Sequence, residues 1–205
     1  MFSRVAAPGR VKTRLIPRLG EWGAARLHGR LTACALRTAL AARCGPVELH
    51  LTSPRRGAKL QRGADLGERM QRALAAALRR HRAAILIGAD CPALRPADLR
   101  RAARLLAGGC DVVLGPAEDG GYVLVGARRL PPRLFSNISW GAASVYGETT
   151  KRLSGYRWRA LRTLWDVDRP EDVERLKALR FSSALRPRAR RSAGNPAHLG
   201  EWGRT

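Results

Sequence analysis

Aromatic residues are scarce in this 205-residue chain, at 5%. Its interior must therefore be filled mainly by Leu, Ile, Val and Ala, as in layered sheets and helices. Lysine is nearly missing. Only Lys12, Lys59, Lys151 and Lys177 occur, so arginine carries almost all of a formal net charge of +23. Acidic residues number 16 against 39 basic ones, so any cluster of carboxylates stands out. No apolar run is long enough to cross a membrane, and no leader pattern opens the chain. The four cysteines (Cys34, Cys44, Cys91, Cys110) form no C-x-x-C pair, and His28, His50, His81 and His198 share no ligand spacing with them. That argues against a zinc site and against a secreted disulfide framework; all eight read as structural or incidental in a reduced, cytoplasmic chain. The charge attracts polyanions in general. Arginine is nevertheless spread along the whole chain together with alanine, and no helix-turn-helix, zinc-finger or RNA-recognition signature appears. Nucleic acid is therefore not expected as the main partner.

The stretch Ile85-Leu86-Ile87-Gly88-Ala89-Asp90-Cys91-Pro92 organises the rest. A short apolar run ending in glycine reads as a strand buried on both faces. Ligands of open α/β sheets bind beyond the carboxyl ends of the strands, where Asp90 falls. Alone, Asp90 could equally end a strand and cap a turn. A second acidic cluster, Asp166-Val167-Asp168-Arg169-Pro170-Glu171-Asp172, also closes a strand and opens a helix. Two carboxylates at neighbouring strand ends can share Mg²⁺ or Mn²⁺; Mg²⁺ characteristically takes one or two carboxylates plus substrate phosphates and water. Asp90 and Asp168 are the expected pair. Asp166, two residues from Asp168 and so on the same face of a strand, is the substitute.

Near the start, Ala7-Pro8-Gly9-Arg10-Val11-Lys12-Thr13-Arg14-Leu15 marks a loop. Gly9 permits close backbone approach to a ligand, and Lys12, Thr13 and Arg14 put donors at tight spacing, as phosphate recognition requires. The alternative is a solvated basic loop. Helical periodicity covers residues 23 to 43, a strand follows at 47 to 51, and 58 to 64 reads as a loop. Asp65 stands three before Glu68 in a capping-box pattern ahead of the next helix. After the central strand, Pro96 opens a helix that Gly108-Gly109 ends. Residues 111 to 126 read as strand, acidic loop (Glu118-Asp119-Gly120-Gly121), strand; the loop is a turn that could bring Asp119 near Asp90. A helix over 143 to 153, an edge strand from Trp158 to Trp165 and a helix from Pro170 complete the pattern. Alternating strands and helices predict a three-layer α/β/α sandwich with a mainly parallel sheet. Apolar periodicity stops near residue 182, so 1–180 is expected to be the domain and 181–205 a basic, disordered tail that the fold does not need.

Five blocks resemble a bacterial family with the GT-A, nucleotide-diphospho-sugar transferase fold, long carried as a domain of unknown function, some members of which are linked to arsenosugar biosynthesis. They are Pro8-Gly9-Arg10-Val11-Lys12-Thr13-Arg14-Leu15, Asp65-Leu66-Gly67-Glu68-Arg69-Met70, Gly88-Ala89-Asp90-Cys91-Pro92-Ala93-Leu94, Leu114-Gly115-Pro116-Ala117-Glu118-Asp119-Gly120-Gly121-Tyr122, and Trp165 through Asp172. The first and last of these also look, more distantly, like those of the molybdenum-cofactor and 2-phospholactate guanylyltransferases. The resemblance implies a metal-dependent glycosyltransferase that takes a nucleotide-sugar and a small-molecule acceptor. Gly9, Lys12, Thr13 and Arg14, with Asp65, would bind the nucleotide and its phosphates. Asp90, Asp168 and Asp166 would hold the divalent cation, and Asp90 and Asp119 would be catalytic, Asp119 on the acceptor side. The chain departs from the pattern in its short first strand (Phe2 to Val5), a shorter stretch between Pro54 and Gln61, Gly141-Ala142 in place of Ser-Thr, and Arg169 in place of a capping Thr. Three other readings stay open: a nucleotidyltransferase that uses an NTP and releases pyrophosphate, a catalytically decayed copy, and a basic binding module.

Overall fold

The structure is a computed structural model and describes residues 1–178; the expected tail lies outside the described residues. In chain order the elements are β1 (Phe2–Ser3), a 3-10 turn (Thr13–Leu15), α1 (Ile16–Ala42), β2 (His50–Leu51), β3 (Lys59–Leu60), α2 (Leu66–Leu78), β4 (Ala84–Ile87), α3 (Pro96–Ala107), β5 (Val112–Pro116), β6 (Tyr122–Ala127), α4 (Val145–Lys151), β7 (Trp158–Ala160) and α5 (Pro170–Ala178). Strands β1, β2 and β3 form one parallel sheet, and a second sheet has the order β4-β6-β5-β7. Strand β6 runs antiparallel to β4 and β5, while β5 and β7 are parallel. Three of the five pairings are thus parallel, and the antiparallel member is the strand that returns from the acidic turn.

Side-chain alternation along the strands builds the layers. Leu86, Val112, Leu114 and Val125 pack with Met70 and Leu74 of α2. Their neighbours Ile87, Val113 and Leu124 point the other way, onto Ala35 of α1 and Leu99, Ala102 and Leu106 of α3. Successive residues of a strand face opposite sides, so a strand that is apolar at every position needs helices on both. A third cluster joins Leu15, Ala24 and Leu31 to Trp165, Val167, Val173 and Leu176, and fixes the acidic segment against α1 and α5.

Helix ends follow local chemistry. Asp65 caps α2 by accepting Glu68 N–H at 2.7 Å, and the Glu68 carboxylate reaches back to Ala64 N–H at 2.7 Å. Helix α3 starts at Pro96, and Asp98 accepts Arg95 N–H at 2.9 Å. At the start of α5, Asp172 reaches back to the N–H groups of Asp168 and Arg169, at 3.0 and 2.7 Å. The expected strand at 47–51 is regular only at His50–Leu51, and Lys59–Leu60 pairs with it inside the expected loop. The strand expected from Trp158 to Trp165 stops at Ala160, after which one parallel bridge links Ala117 and Leu164. No helix among the described residues is long and apolar enough to cross a membrane.

Candidate active site

The carboxyl ends of β4 and β5, the loop after β1 and the segment before α5 meet at one edge. Two backbone links bring them together. Val167 N–H donates to Asp90 O at 2.9 Å, which lays the Asp166–Asp168 segment beside the end of β4. Leu164 N–H donates to Pro116 O, and Glu118 N–H to Leu164 O, both at 2.9 Å, which ties the same segment to β5. Arg175 of α5 reinforces this tie with two bonds to Glu118, at 2.6 and 2.9 Å, and its guanidinium lies over the Trp165 ring.

The basic loop points its lysine inward. Gly9 has φ +71° and Lys12 φ +50°, a left-handed conformation that is uncommon for a side chain larger than glycine. It carries the Lys12 ammonium under the loop, where the side chain is only 5% exposed. There Nζ lies 3.0 Å from Asp90 Oδ2 and 3.9 Å from Asp168 Oδ1. Arg14, exposed, pairs with the other oxygen of Asp168. Thr13 begins the 3-10 turn and is exposed.

Behind Asp90 stands a residue whose role the sequence did not reveal. His28 of α1 is buried, with Nδ1 3.5 Å from Asp90 Oδ1. Its Nε2 lies 3.2 Å from Ser3 Oγ and 3.1 Å from Arg4 O; Ser3 Oγ also meets Thr32 Oγ1 at 2.8 Å. His28 shares the buried stripe of α1 with Ala24, Leu31 and Ala35, and that polar interruption of an apolar face was the available signal. Burial pushes the Asp90 carboxyl upward, but the His28 hydrogen bond and the Lys12 charge outweigh it, and the net shift is downward. Asp90 is therefore a carboxylate, as a cation ligand must be.

Asp166 behaves oppositely. Burial, then the charge of Asp119, raise it to about 6, and Asp90 adds to the rise. Asp119 and Asp166 both line a cavity of about 210 Å³ whose walls include Met70, Leu86, Tyr122 and Trp140. Asp119 is held by accepting Gly121 N–H at 2.9 Å, and Tyr122 and Trp140 meet edge to face. The site thus brings together Lys12, Arg14, Asp90, Asp119, Asp166 and Asp168. Asp65 caps α2. Among the described residues no group of three His, Cys, Asp or Glu is arranged to hold a metal ion. A cation nevertheless fits the donor chemistry: Asp90 Oδ1 is buried with only the long 3.5 Å approach of His28 Nδ1 to satisfy it, and Asp166 stands among like charges.

Replacing His28 with Leu keeps the apolar packing and removes both ring nitrogens. It is expected to lower stability by about 1–3 kcal/mol, because Arg4 O and Ser3 Oγ lose a partner. Unchanged melting would mean that these bonds contribute nothing to the fold.

Residues 30–142, more than half of the chain, match a family described as uncharacterized proteins conserved in bacteria (DUF2064). The chain belongs to this family. Among solved structures, a protein from Desulfovibrio desulfuricans G20, provisionally described as a nucleotide-diphospho-sugar transferase, is 29% identical, with a TM-score of 0.76 over 90% of this chain and 94% of its own. A nucleotidyl transferase from Methanothermobacter thermautotroptrophicus is 16% identical, with a TM-score of 0.56 over 89% of this chain and 97% of its own. CMP:2-keto-3-deoxy-manno-octonic acid synthetase, solved with CTP, is 15% identical, with a TM-score of 0.52 over the same shares. The last two speak for the fold alone. No curated protein matches the chain. The DUF2064 chain therefore has the α/β fold of the nucleotide-diphospho-sugar transferases, as the resemblance of its five blocks implied.

Proposed function

We propose that the protein is a metal-dependent glycosyltransferase that uses a nucleotide-activated sugar. The observation that carries this reading is the buried Lys12 ammonium set between Asp90 and Asp168, with Arg14 beside it and Asp119 and Asp166 across a small cavity. Cationic donors and carboxylates side by side at strand ends suit a diphosphate with its cation. The likeness to the D. desulfuricans protein supports the same class.

In this reading, Lys12 and Arg14 exchange part of their contact with Asp168 for the diphosphate oxygens. An acceptor hydroxyl gives its proton to Asp119 and attacks the anomeric carbon. The bond from that carbon to the phosphate oxygen breaks, and the nucleoside diphosphate leaves with its charge held by Lys12 and Arg14. Asp90 and Asp166 would hold the divalent cation; Asp168 is engaged by Arg14, which favours Asp166 as the partner of Asp90. A bound cation would neutralise charge on the diphosphate. Tyr122 and Trp140 would give the acceptor an apolar wall.

The test is product analysis with nucleotide-sugars and NTPs, each with and without Mn²⁺. Release of nucleoside diphosphate from a nucleotide-sugar, lost in Asp90→Asn and Asp166→Asn by about a hundredfold or more, is expected. Release of pyrophosphate from an NTP would make the protein a nucleotidyltransferase. Turnover of neither substrate class, with no Mn²⁺-dependent nucleotide binding by calorimetry, would overturn both enzyme readings and leave the decayed copy or the basic binding module.

A further inference from the structure

A cavity of about 820 Å³ opens beside the first residues of β5 and β7, at the opposite end of these strands from the candidate active site. The two strands are parallel, and Val112 pairs with Trp158 where they begin. The far end of β5, Pro116, is the one tied to the acidic segment. The five residues of β5, about 15 Å of strand, separate the two places. Four arginines line the cavity: Arg101 and Arg104 from α3, and Arg157 and Arg159 from β7 and its lead. Their convergence follows from periodicity. Arg101 and Arg104 are three apart on a helix and share a face. Trp158 packs into the α2 layer, so its neighbours Arg157 and Arg159 turn to the other side of the sheet, where α3 lies.

We propose that this cavity is a second anion site, and that its ligand is a chain of linked phosphates, free or carried by a nucleotide. The inference is independent of the proposed chemistry at the other end of the strands. Among the described residues, no carboxylate forms an ion pair with any of the four guanidinium groups. Arg162, a little further along the chain, shows the contrast: it is bonded to Asp98 at 2.8 and 2.9 Å. The acid beside the cavity is Asp111. It gives one oxygen to Arg128 at 2.7 Å and the other to the Arg157 N–H at 3.0 Å. Its charge also reaches Arg157, but one carboxylate shared with Arg128 does not balance the set. Like charges around one hollow repel one another, and a polyanion relieves that repulsion.

The hollow is shaped by its backbone. A Cβ on Gly109 would stand 2.6 Å from Arg157 Nη2, so the glycine leaves room for that guanidinium. Leu105 and Cys110 form the floor and pack onto the α1–α3 layer. The end of α3 would oppose an anion through its dipole. Its last carbonyls are already engaged: those of Arg104, Leu105 and Leu106 accept from the N–H groups of Gly108, Cys110 and Gly109, at 2.9, 3.0 and 3.1 Å. Each guanidinium presents a planar fork of donors that fits phosphate oxygens in pairs. A single phosphate leaves most of the positive charge uncompensated, whereas a run of linked phosphates meets all four arginines. Single-stranded nucleic acid fits less well, because it needs open aromatic faces along a basic groove. The Tyr156 ring already carries the Arg129 guanidinium, 5.1 Å from its centre, and Trp158 is packed into the α2 layer. With no ring left to stack a base, the phosphate chain itself is what the cavity recognises.

The test is calorimetry with inorganic tripolyphosphate, ATP and GTP, in EDTA and at about 0.15 M salt, where attraction between distant charges is screened. It is run on the chain and on Lys12→Ala, which weakens the phosphate site at the other end of the strands. Binding is expected to persist in Lys12→Ala. Adding Arg104→Gln with Arg157→Gln should weaken it about tenfold or more. Arg26→Gln with Arg30→Gln, at exposed positions of α1, removes the same charge elsewhere and should change it little. Equal affinity for the three ligands supports a phosphate chain carried by a nucleotide or free, and a preference for tripolyphosphate assigns the free chain. Equal loss in the two double variants would overturn the proposal, since the binding would then be diffuse attraction to the net charge. So would loss of all binding in Lys12→Ala alone, or a strong preference for one nucleotide, which would mean that a base is read. A single-stranded oligonucleotide that displaces tripolyphosphate at equal phosphate concentration would overturn it too, and would make the cavity part of a nucleic-acid groove.

Discussion

Replacing Lys12 with alanine is expected to weaken binding of a nucleoside diphosphate about a hundredfold, the equivalent of roughly 2–3 kcal/mol for a charge-assisted bond to phosphate. The same change should tighten binding of Mn²⁺ added alone. The opposite signs follow from where the ammonium sits. It is nearly enclosed, 3.0 Å from Asp90 and 3.9 Å from Asp168, and it opposes the rise of the Asp166 carboxyl. Removing it leaves a set of carboxylates whose mutual repulsion a divalent cation relieves. The diphosphate, in contrast, loses a positive partner. Arg14→Ala serves as the comparison. Its guanidinium is 67% exposed, so its pair with Asp168 is screened, and a loss below tenfold is expected. Calorimetry with Mn²⁺ alone and with a nucleoside diphosphate alone reads both effects. If Lys12→Ala weakens the two ligands equally, the lysine holds the site's shape and has no separate role toward phosphate.

This arrangement shows which parts of the site could be read before folding. Asp90, Asp119, Asp166 and Asp168 stand out because carboxylates are few and these close apolar runs or open turns. Lys12 and Arg14 stand out because the Pro8-Gly9 turn places them together. What the sequence lacked was the third dimension of each pairing. Asp166 and Asp168 share a parity along the chain, so alternation could not say which would be free for a cation. The backbone bond from Val167 to Asp90 sets where the two side chains lie, and Arg14 pairs with Asp168; neither leaves a local trace. His28 is hidden for the same reason: its partners Ser3, Arg4 and Asp90 lie on other elements, and only its place on a buried stripe hints at it.

Element boundaries show a related limit. Helices α2 and α3 carry their own start signals in Asp65, Glu68, Pro96 and Asp98, and they form where those residues stand. Strands β2 and β3 depend on a neighbour. With only Phe2–Ser3 in β1, the ladder offers two paired positions, and the alternating run from Val47 becomes regular only there.

The largest stability effect is expected at a glycine of the acidic turn. Gly120 has φ +86°, and a Cβ built on it would stand 2.1 Å from the carbonyl oxygen of Ala143. Both penalties act together: a side chain is strained in that backbone conformation, and the contact is with backbone that cannot rotate away. The turn is bonded to its neighbour at this point, since Tyr146 N–H at the start of α4 donates to Gly120 O at 2.8 Å. Gly120→Val must therefore push the turn off α4 or break that bond. A loss on the order of 3 kcal/mol or more is expected, which lowers the melting temperature by about 6–12 °C in a chain of this size. Because Asp119 precedes Gly120 and is positioned by Gly121 N–H, turnover should fall more steeply than the folded fraction does. Gly141→Ala separates the two causes. Its φ is +89°, yet nothing lies within 4 Å of its Cβ position, so it carries the conformational strain without the clash and should cost about 1 kcal/mol. Equal melting points for the two variants would mean that the segment around Ala143 yields readily, and that its contact with the turn does not hold Asp119 in place.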